Sequence, residues 1–247
     1  MTDLLYLNDF DVTTCQAVVE SIGSTDDGRT AATLDQTCFY PRGGGQDWDY
    51  GTIVSDDIVF NVEEVRLDSD GTVQHIGKFA NGRFMAGEDV DCKVDEQRRW
   101  VNTRLHSAGH LVDMAIDALG LDWVAVKAQH YIDLSAIEYN GKWDESKAEE
   151  LRSAIEQKSN ELIATKTDNK IEFMPVDQMH TVCRHVPANI PTNKPSRVVI
   201  YGENFGIPCG GTHVRNLADV GEIQISKIKC KKGVIRVNYE VVGINDK

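Results

Sequence analysis

What this chain of 247 residues lacks narrows the field first. It contains no run of about 18 apolar residues, the length a helix needs to cross a bilayer. Its opening, MTDLLYLNDFDV, is acidic where a secretory leader would be basic and then apolar. Together these absences make a cytosolic protein the expectation. The six cysteines (15, 38, 92, 183, 209 and 230) show no close pairing, so a disulfide framework is not expected. In a reducing compartment such thiols serve as core residues, metal ligands or nucleophiles. Internal repeats and low-complexity tracts are also missing, which leaves out solenoids and fibres. With 41% apolar residues the chain can bury the core of one large domain or two small ones.

Positive charge is scarce, but only in one part. Residues 1–94 hold 18 acidic and 6 basic side chains, whereas residues 95–247 hold 21 and 20. The net charge of −13 therefore belongs to the first third and does not exclude a polyanionic partner for the rest. Lys227, Lys229, Lys231, Lys232 and Arg236 fall within ten residues free of any acid, and Arg98, Arg99 and Arg104 form a second basic group. Read alone, alternating lysines on a strand equally describe a solvated face.

Up to residue 94 the pattern is one of short strands broken by turns: CQAVVESIG, AATLDQTCFY, GTIVSDDIVFNVEEVRL, GTVQHIGKF and DVDCKV. That rhythm predicts a small β-barrel or compact sandwich over residues 1–94. Its glycine-rich segment PRGGGQDWDYG suits a tight turn or a binding loop. From Asp95 the period changes to steps of three and four. Val101, Leu105, Ala108, Val112, Ala115 and Leu119 mark one face of a helix that Gly120 closes. A second helix follows Asp144 as N-cap, with Ala148, Leu151, Ile155 and Leu162 on one side. Strand-like runs lie between and after them (WVAVKAQHYIDLSAIEY, KIEFMPV, SRVVIY, EIQISKIKC, GVIRVNYEVV). Residues 95–247 are thus expected to form an α+β domain, an antiparallel sheet with helices on one face.

His106 and His110 stand four apart on the first helix, so both imidazoles leave one face and can meet a single ion. PCGGTHV, with Cys209 and His213 also four apart, supplies a second pair. Imidazole and thiolate in a set of four suit one Zn²⁺ ion better than magnesium or calcium, which take oxygen. Gly210 and Gly211 would let the loop turn sharply enough to aim both ligands inward. Four protein ligands close a tetrahedral zinc. Either the site is structural, or one ligand stands back, or the ion takes a fifth partner. The glutamate of HExxH is absent, since Ser107, Ala108 and Gly109 fill the gap, which argues against a zinc peptidase.

These motifs, FYPRGGGQDWDYG, RRWVNTRLHSAGHLV, AIEYNG, Asn160 and IPCGGTHVRNLADVGEIQISKIKCKKGVIRVNYEV, resemble the free-standing alanyl-tRNA editing proteins of the AlaX type, in their medium-length form. Those are relatives of the editing domain of alanyl-tRNA synthetase. The resemblance implies hydrolysis of wrongly attached serine, and sometimes glycine, from tRNA specific for alanine. It makes His106, His110, Cys209 and His213 the zinc residues, and turns Gly43, Gly44, Gly45 and Gln46 into a loop that reaches toward the acceptor end or the active site. Asp47 and Tyr50 depart from the family pattern of that loop.

An ester on ribose is already reactive, so a positioned water with electrostatic help suffices without a strong protein base. Serine differs from alanine by one hydroxyl, and Gln46, Thr103, Ser107 and Thr212 are candidate partners for that hydroxyl or for water, each reading equally as a cap or a local backbone bond. With tRNA as partner, Arg98, Arg99, Arg104 and the lysines 227, 229, 231 and 232 become expected phosphate contacts. Two rivals stand beside this reading: deacylation of another aminoacyl-tRNA or activated ester, and a non-catalytic module in which zinc only stabilises an RNA-binding fold.

Overall fold

The computed structural model describes residues 1–188, 190–202 and 205–244. They group into two compact units, Met1–Gly43 with Asp47–Trp100, and Gly44–Gln46 with Val101–Lys247. The tripeptide Gly44–Gln46 thus belongs with the second unit although its neighbours on both sides belong to the first.

The first unit contains β1 (Asp3–Leu4), β2 (Thr14–Ser24), β3 (Thr30–Leu34), β4 (Gln36–Thr37), β5 (Gly51–Ser55), β6 (Ile58–Leu67), β7 (Val73–Phe79) and β8 (Asp89–Val94). Six of them close a barrel in the order β2-β3-β7-β6-β5-β8, while β1 and β4 form a parallel pair. The two-residue period is plain in β8, where Val90, Cys92 and Val94 are buried and Asp89, Asp91 and Lys93 are exposed. Leu34, Phe39, Ile53, Phe60, Val65 and Val73 fill the interior. The run GTIVSDDIVFNVEEVRL resolves into a hairpin of β5 and β6, turning at Asp56 with φ 48°.

Two of the expected phosphate contacts lie in this unit. Arg99 is buried, contrary to expectation. Its Nε and Nη2 bind the buried carboxylate of Asp49, Nη1 donates to the Val12 carbonyl at 2.9 Å, and Nη2 donates to the Cys38 carbonyl at 2.6 Å. Such a guanidinium is spent on holding the fold. Arg98 lies 4.0 Å from the Tyr50 ring centroid, donates to the Trp48 carbonyl at 2.8 Å and sits 3.6 Å from the Asp47 carboxylate. Both residues that depart from the family pattern, Asp47 and Tyr50, therefore engage the same arginine.

The second unit takes α1 (Glu96–Ala118) from Val101 onward, then β9 (Val124–Tyr131), β10 (Leu134–Asn140), α2 (Ala148–Ala164), β11 (Lys170–Met174), β12 (Ser196–Tyr201), β13 (Phe205–Pro208), β14 (Ile223–Lys231) and β15 (Val234–Val241). The class is α+β as expected. Where one sheet was expected there are two, a four-stranded β14-β15-β10-β9 and a three-stranded β11-β12-β13, both antiparallel. Strand β13, only four residues long, carries too short a pattern to be read from sequence. It leads directly into the Cys209 turn.

Asp144 does act as a cap, accepting from the Ser146 amide at 3.0 Å, but over a short 3-10 turn (Glu145–Lys147) that precedes α2. Helix α2 is tied to β14 through side chains that reach strand backbone. Asn160 Nδ2 donates to the Ile223 carbonyl at 2.7 Å, its Oδ1 accepts from the Ile223 amide at 2.9 Å, and Glu156 accepts from the Ile225 amide at 2.8 Å. The strand bulges between Ile225 and Lys227, just past these anchors. Among the described residues no helix is long and apolar enough to cross a membrane.

Candidate metal centre and its cavity

From Val101 to Val112, helix α1 is buried almost all round, with Arg104 alone partly open. Asn102, Thr103, His106, Ser107 and His110 are therefore polar groups in the interior, and each buried polar group needs a partner. The partners come from two distant segments, Gly44–Gln46 and the turn after β13. Ligand atoms of His106, His110, Cys209 and His213 all lie within 4.8 Å of one another. Cys209 Sγ is 3.4 Å from His106 Nε2 and 3.3 Å from His213 Nε2. Those separations match the roughly 3.5 Å edge of a tetrahedron with zinc bonds of about 2.0 Å to nitrogen and about 2.3 Å to sulfur.

Gln46 sets the tautomer of His106. The Thr212 amide, which can only donate, points at one end of the Gln46 carboxamide at 3.0 Å, so that end is Oε1. The same oxygen faces His106 Nδ1 at 2.7 Å, so Nδ1 carries the proton and Nε2 presents a bare lone pair toward Cys209. On His213, the Tyr201 hydroxyl at 2.9 Å and Ser107 Oγ at 3.3 Å engage Nδ1, leaving Nε2 to face the sulfur. On His110, Nδ1 is buried without a hydrogen-bond partner. Burial holds all three imidazoles well below their ordinary pKa, with mutual repulsion among the rings adding for His106 and His213, so they are neutral and their lone pairs available. Burial also pushes the Cys209 thiol up, a cost that a cation beside the sulfur would offset. The donor set, its spacing and its outer hydrogen bonds all fit a single soft-to-borderline ion.

Arg197 holds the turn in shape by donating through Nη1 to the carbonyls of Cys209 and Gly211, each at 2.8 Å. Neither Gly210 nor Gly211 has positive φ, contrary to the backbone conformation expected of them. What Gly211 supplies is space, because a Cβ there would overlap the His106 ring. Positive φ is found instead at Gly45 (80°), where a Cβ would strike the Ala128 carbonyl. The Gly45 carbonyl accepts from the His130 amide at 2.8 Å, which docks the tripeptide on β9.

The expected polar contacts thus come together, but not toward substrate. Gln46, Thr103, Ser107 and Thr212 are all buried, and none lines the adjoining cavity. Thr103 Oγ1 and Thr212 Oγ1 are 2.7 Å apart, Gln46 Nε2 donates to Thr212 Oγ1 at 2.8 Å, and Ser107 Oγ accepts from the Val214 amide at 3.0 Å. Their hydrogen-bonding capacity goes into holding the two histidines and the turn. Gly44 lines the cavity, whereas Gly43 belongs to the barrel unit and its carbonyl accepts from the Tyr40 hydroxyl at 2.9 Å. Arg104 is half-buried and donates to the Val220 carbonyl at 2.9 Å. Lys227, Lys229, Lys231 and Lys232 are exposed along β14 and its turn, while Arg236 pairs with Glu138 at 2.7 Å.

A cavity of about 260 Å³ opens against the cluster, walled by His106, His110, Cys209, Ala128, Ile137 and Ile207. Two of its remaining walls were not singled out by sequence. His130 is buried, stacks on His106 with ring centroids 4.4 Å apart, and meets the Tyr239 hydroxyl at 2.5 Å. Asp113, one helical turn beyond His110, is the carboxylate of the cavity. The i+7 step from His106 to Asp113 was the available signal for the second; His130 carries none, because its partners come from other elements.

The fold and site define a class of protein. Residues 11–98 match the model for class II (A) tRNA synthetases, and residues 196–238 match the second additional domain of threonyl and alanyl tRNA synthetases. The chain is 31% identical over 242 residues to the alanine–tRNA ligase of Methanobrevibacter smithii (96% of this chain, 27% of the ligase) and 29% identical over 216 residues to that of Clostridioides difficile (86% and 24%). It is also 29% identical over 216 residues to the alanyl-tRNA editing protein AlaX-L of Pyrococcus horikoshii (85% and 51%). The chain thus spans about a quarter of the ligases and about half of the editing protein. These similarities are consistent with an AlaX-type editing domain, and the resemblance drawn from the motifs is borne out.

Proposed function

We propose that this chain removes wrongly attached serine, and glycine to a lesser degree, from tRNA specific for alanine. The observation that carries the reading is the convergence of His106, His110, Cys209 and His213 beside an open cavity lined mostly by apolar groups. In this reading residues 95–247 form the deacylase domain around one zinc ion, and residues 1–94 form a barrel domain bearing the glycine-rich loop. Zinc held by those four residues would supply Lewis acidity at the ester carbonyl. Everything else is the work of the chain. Gln46 and Tyr201 orient the imidazoles, Arg197 keeps the Cys209 turn rigid, and burial keeps the histidines neutral. Ala128, Ile137 and Ile207 exclude bulk water from the bound ester, which strengthens each electrostatic contact made there.

The test is deacylation of seryl-, glycyl- and alanyl-tRNA of the alanine type, before and after chelation. Seryl ester should be hydrolysed much faster than alanyl ester, and chelation should abolish the reaction until zinc is restored. Hydrolysis of none of the three, or hydrolysis indifferent to chelation, would sink the reading.

A further inference from the structure

The cavity beside the histidine and cysteine cluster is lined by imidazoles, glycines and apolar side chains, with one charged group among them, Asp113. Its carboxylate is half-buried and forms no ion pair among the described residues. The nearest guanidinium, on Arg184, is committed elsewhere: Nη1 lies 2.8 Å from Asp117, and Nη2 donates to the Leu121 carbonyl at 3.0 Å. Two buried polar atoms near Asp113 also lack hydrogen-bond partners, His110 Nδ1 in the wall of the same cavity and the Tyr139 hydroxyl. The Asp113 charge reaches that hydroxyl, helping to hold its proton on, although no well-formed hydrogen bond closes between them. Burial pushes the Asp113 carboxyl up to about 6, with Arg184, the Tyr139 hydroxyl and His185 pulling the other way, so it is ionised at neutral pH while no cation closes an ion pair on it.

An unpaired carboxylate in an apolar cavity is costly unless a cation arrives with the ligand. Esters of amino acids bring one. Their α-ammonium, with a pKa of roughly 8, is separated from the reacting carbonyl by a single carbon. His110 and Asp113 lie on one face of α1 and about 4.5 Å apart along its axis. That spacing suits a ligand whose carbonyl meets the cluster and whose ammonium, one carbon away, meets Asp113. The carboxylate also borders a second cavity of about 200 Å³, lined by Trp123 and Arg184 among others, so a ligand larger than an amino acid can continue past it.

We propose that Asp113 binds the α-ammonium group of the esterified amino acid. The assignment deepens the reading of this cavity as an ester-hydrolysing site and rests on it. Asp113 is on this view a substrate-binding residue that selects for a free amino group, while the cluster handles the carbonyl.

The experiment is calorimetric binding to the full chain of two compounds, a non-hydrolysable amide analogue of seryl-adenosine and the same molecule without its α-amino group. The parent should favour the amino compound by roughly tenfold or more, as a charge-assisted contact in a desolvated site requires. Asp113→Asn, which keeps the shape and removes the charge, should bind both compounds with equal, weak affinity. Equal binding of the two by the parent protein, or an unchanged preference in Asp113→Asn, overturns the assignment. If the variant does not fold, the parent's comparison of the two compounds decides alone. Seryl-tRNA deacylation is read separately: its absence would remove the hydrolase reading, and the binding comparison would still judge Asp113.

Discussion

Gln46 shows how a residue's chemistry can be legible while its role is not. In sequence it reads as a carboxamide beside three glycines, able to meet a substrate hydroxyl. In the fold its oxygen accepts from both the Thr212 amide and His106 Nδ1, and its nitrogen donates to Thr212 Oγ1. Both lone pairs of the oxygen are taken, and the side chain is buried away from the adjoining cavity. Its effect is to hold one lone pair of His106 on target. Gln46→Ala should therefore lower metal affinity by about 10- to 100-fold, the usual consequence of losing an outer hydrogen bond to a ligating histidine. Competition against a calibrated chelator measures it. An affinity equal to that of the parent would show that the His106 ring is oriented by packing on His130 alone. Arg99 teaches the same lesson for a charged side chain: the sequence presents a cation, and only the burial of Asp49 reveals where that cation is spent.

At the scale of elements, the first helix and most strands could be read because their burial is periodic. In β8 every second residue is buried, and of the residues marked on α1, Val101, Leu105, Ala108, Val112 and Ala115 lie in the core while Leu119 falls just past the helix end and is exposed. The same periodicity hid the rest of α1, since a helix buried nearly all round has no polar face to set against the apolar one. Helix α2 differs in being held to its sheet by polar side chains. Asn160 grips both the amide and the carbonyl of Ile223 at the start of β14. Asn160→Ala should cost about 1 to 2 kcal/mol, because two backbone groups at a partly buried strand edge lose their partner. Urea denaturation reads this directly, and an unchanged midpoint would mean that water replaces the amide without penalty.

At the scale of the whole molecule, charge and connectivity matter more than any single contact. The exposed Lys227, Lys229, Lys231 and Lys232 lie on a strand edge and turn of a chain whose net charge is −13. If tRNA is the partner, as proposed, neutralising all four should weaken its binding and reduce the slope of log affinity against log salt by about 3 to 4, close to one per lost phosphate contact. A slope identical to that of the parent would assign the lysines to solvation only.

The sequence by itself determined the change of architecture near residue 95, the α+β class, the acidic first third and the two histidine- and cysteine-bearing motifs HSAGH and PCGGTH, because each is written in local spacing or composition. Tertiary structure alone decided which groups surround those side chains. Gln46, His130 and the β12 pair Arg197 and Tyr201 come from three separate stretches of chain, and their convergence on His106, Cys209 and His213 is set by sheet pairing and burial, which leave no local pattern. It also separated Arg99 from solvent and left Asp113 facing a cavity, since whether a charge is paired or available depends on what packs against it.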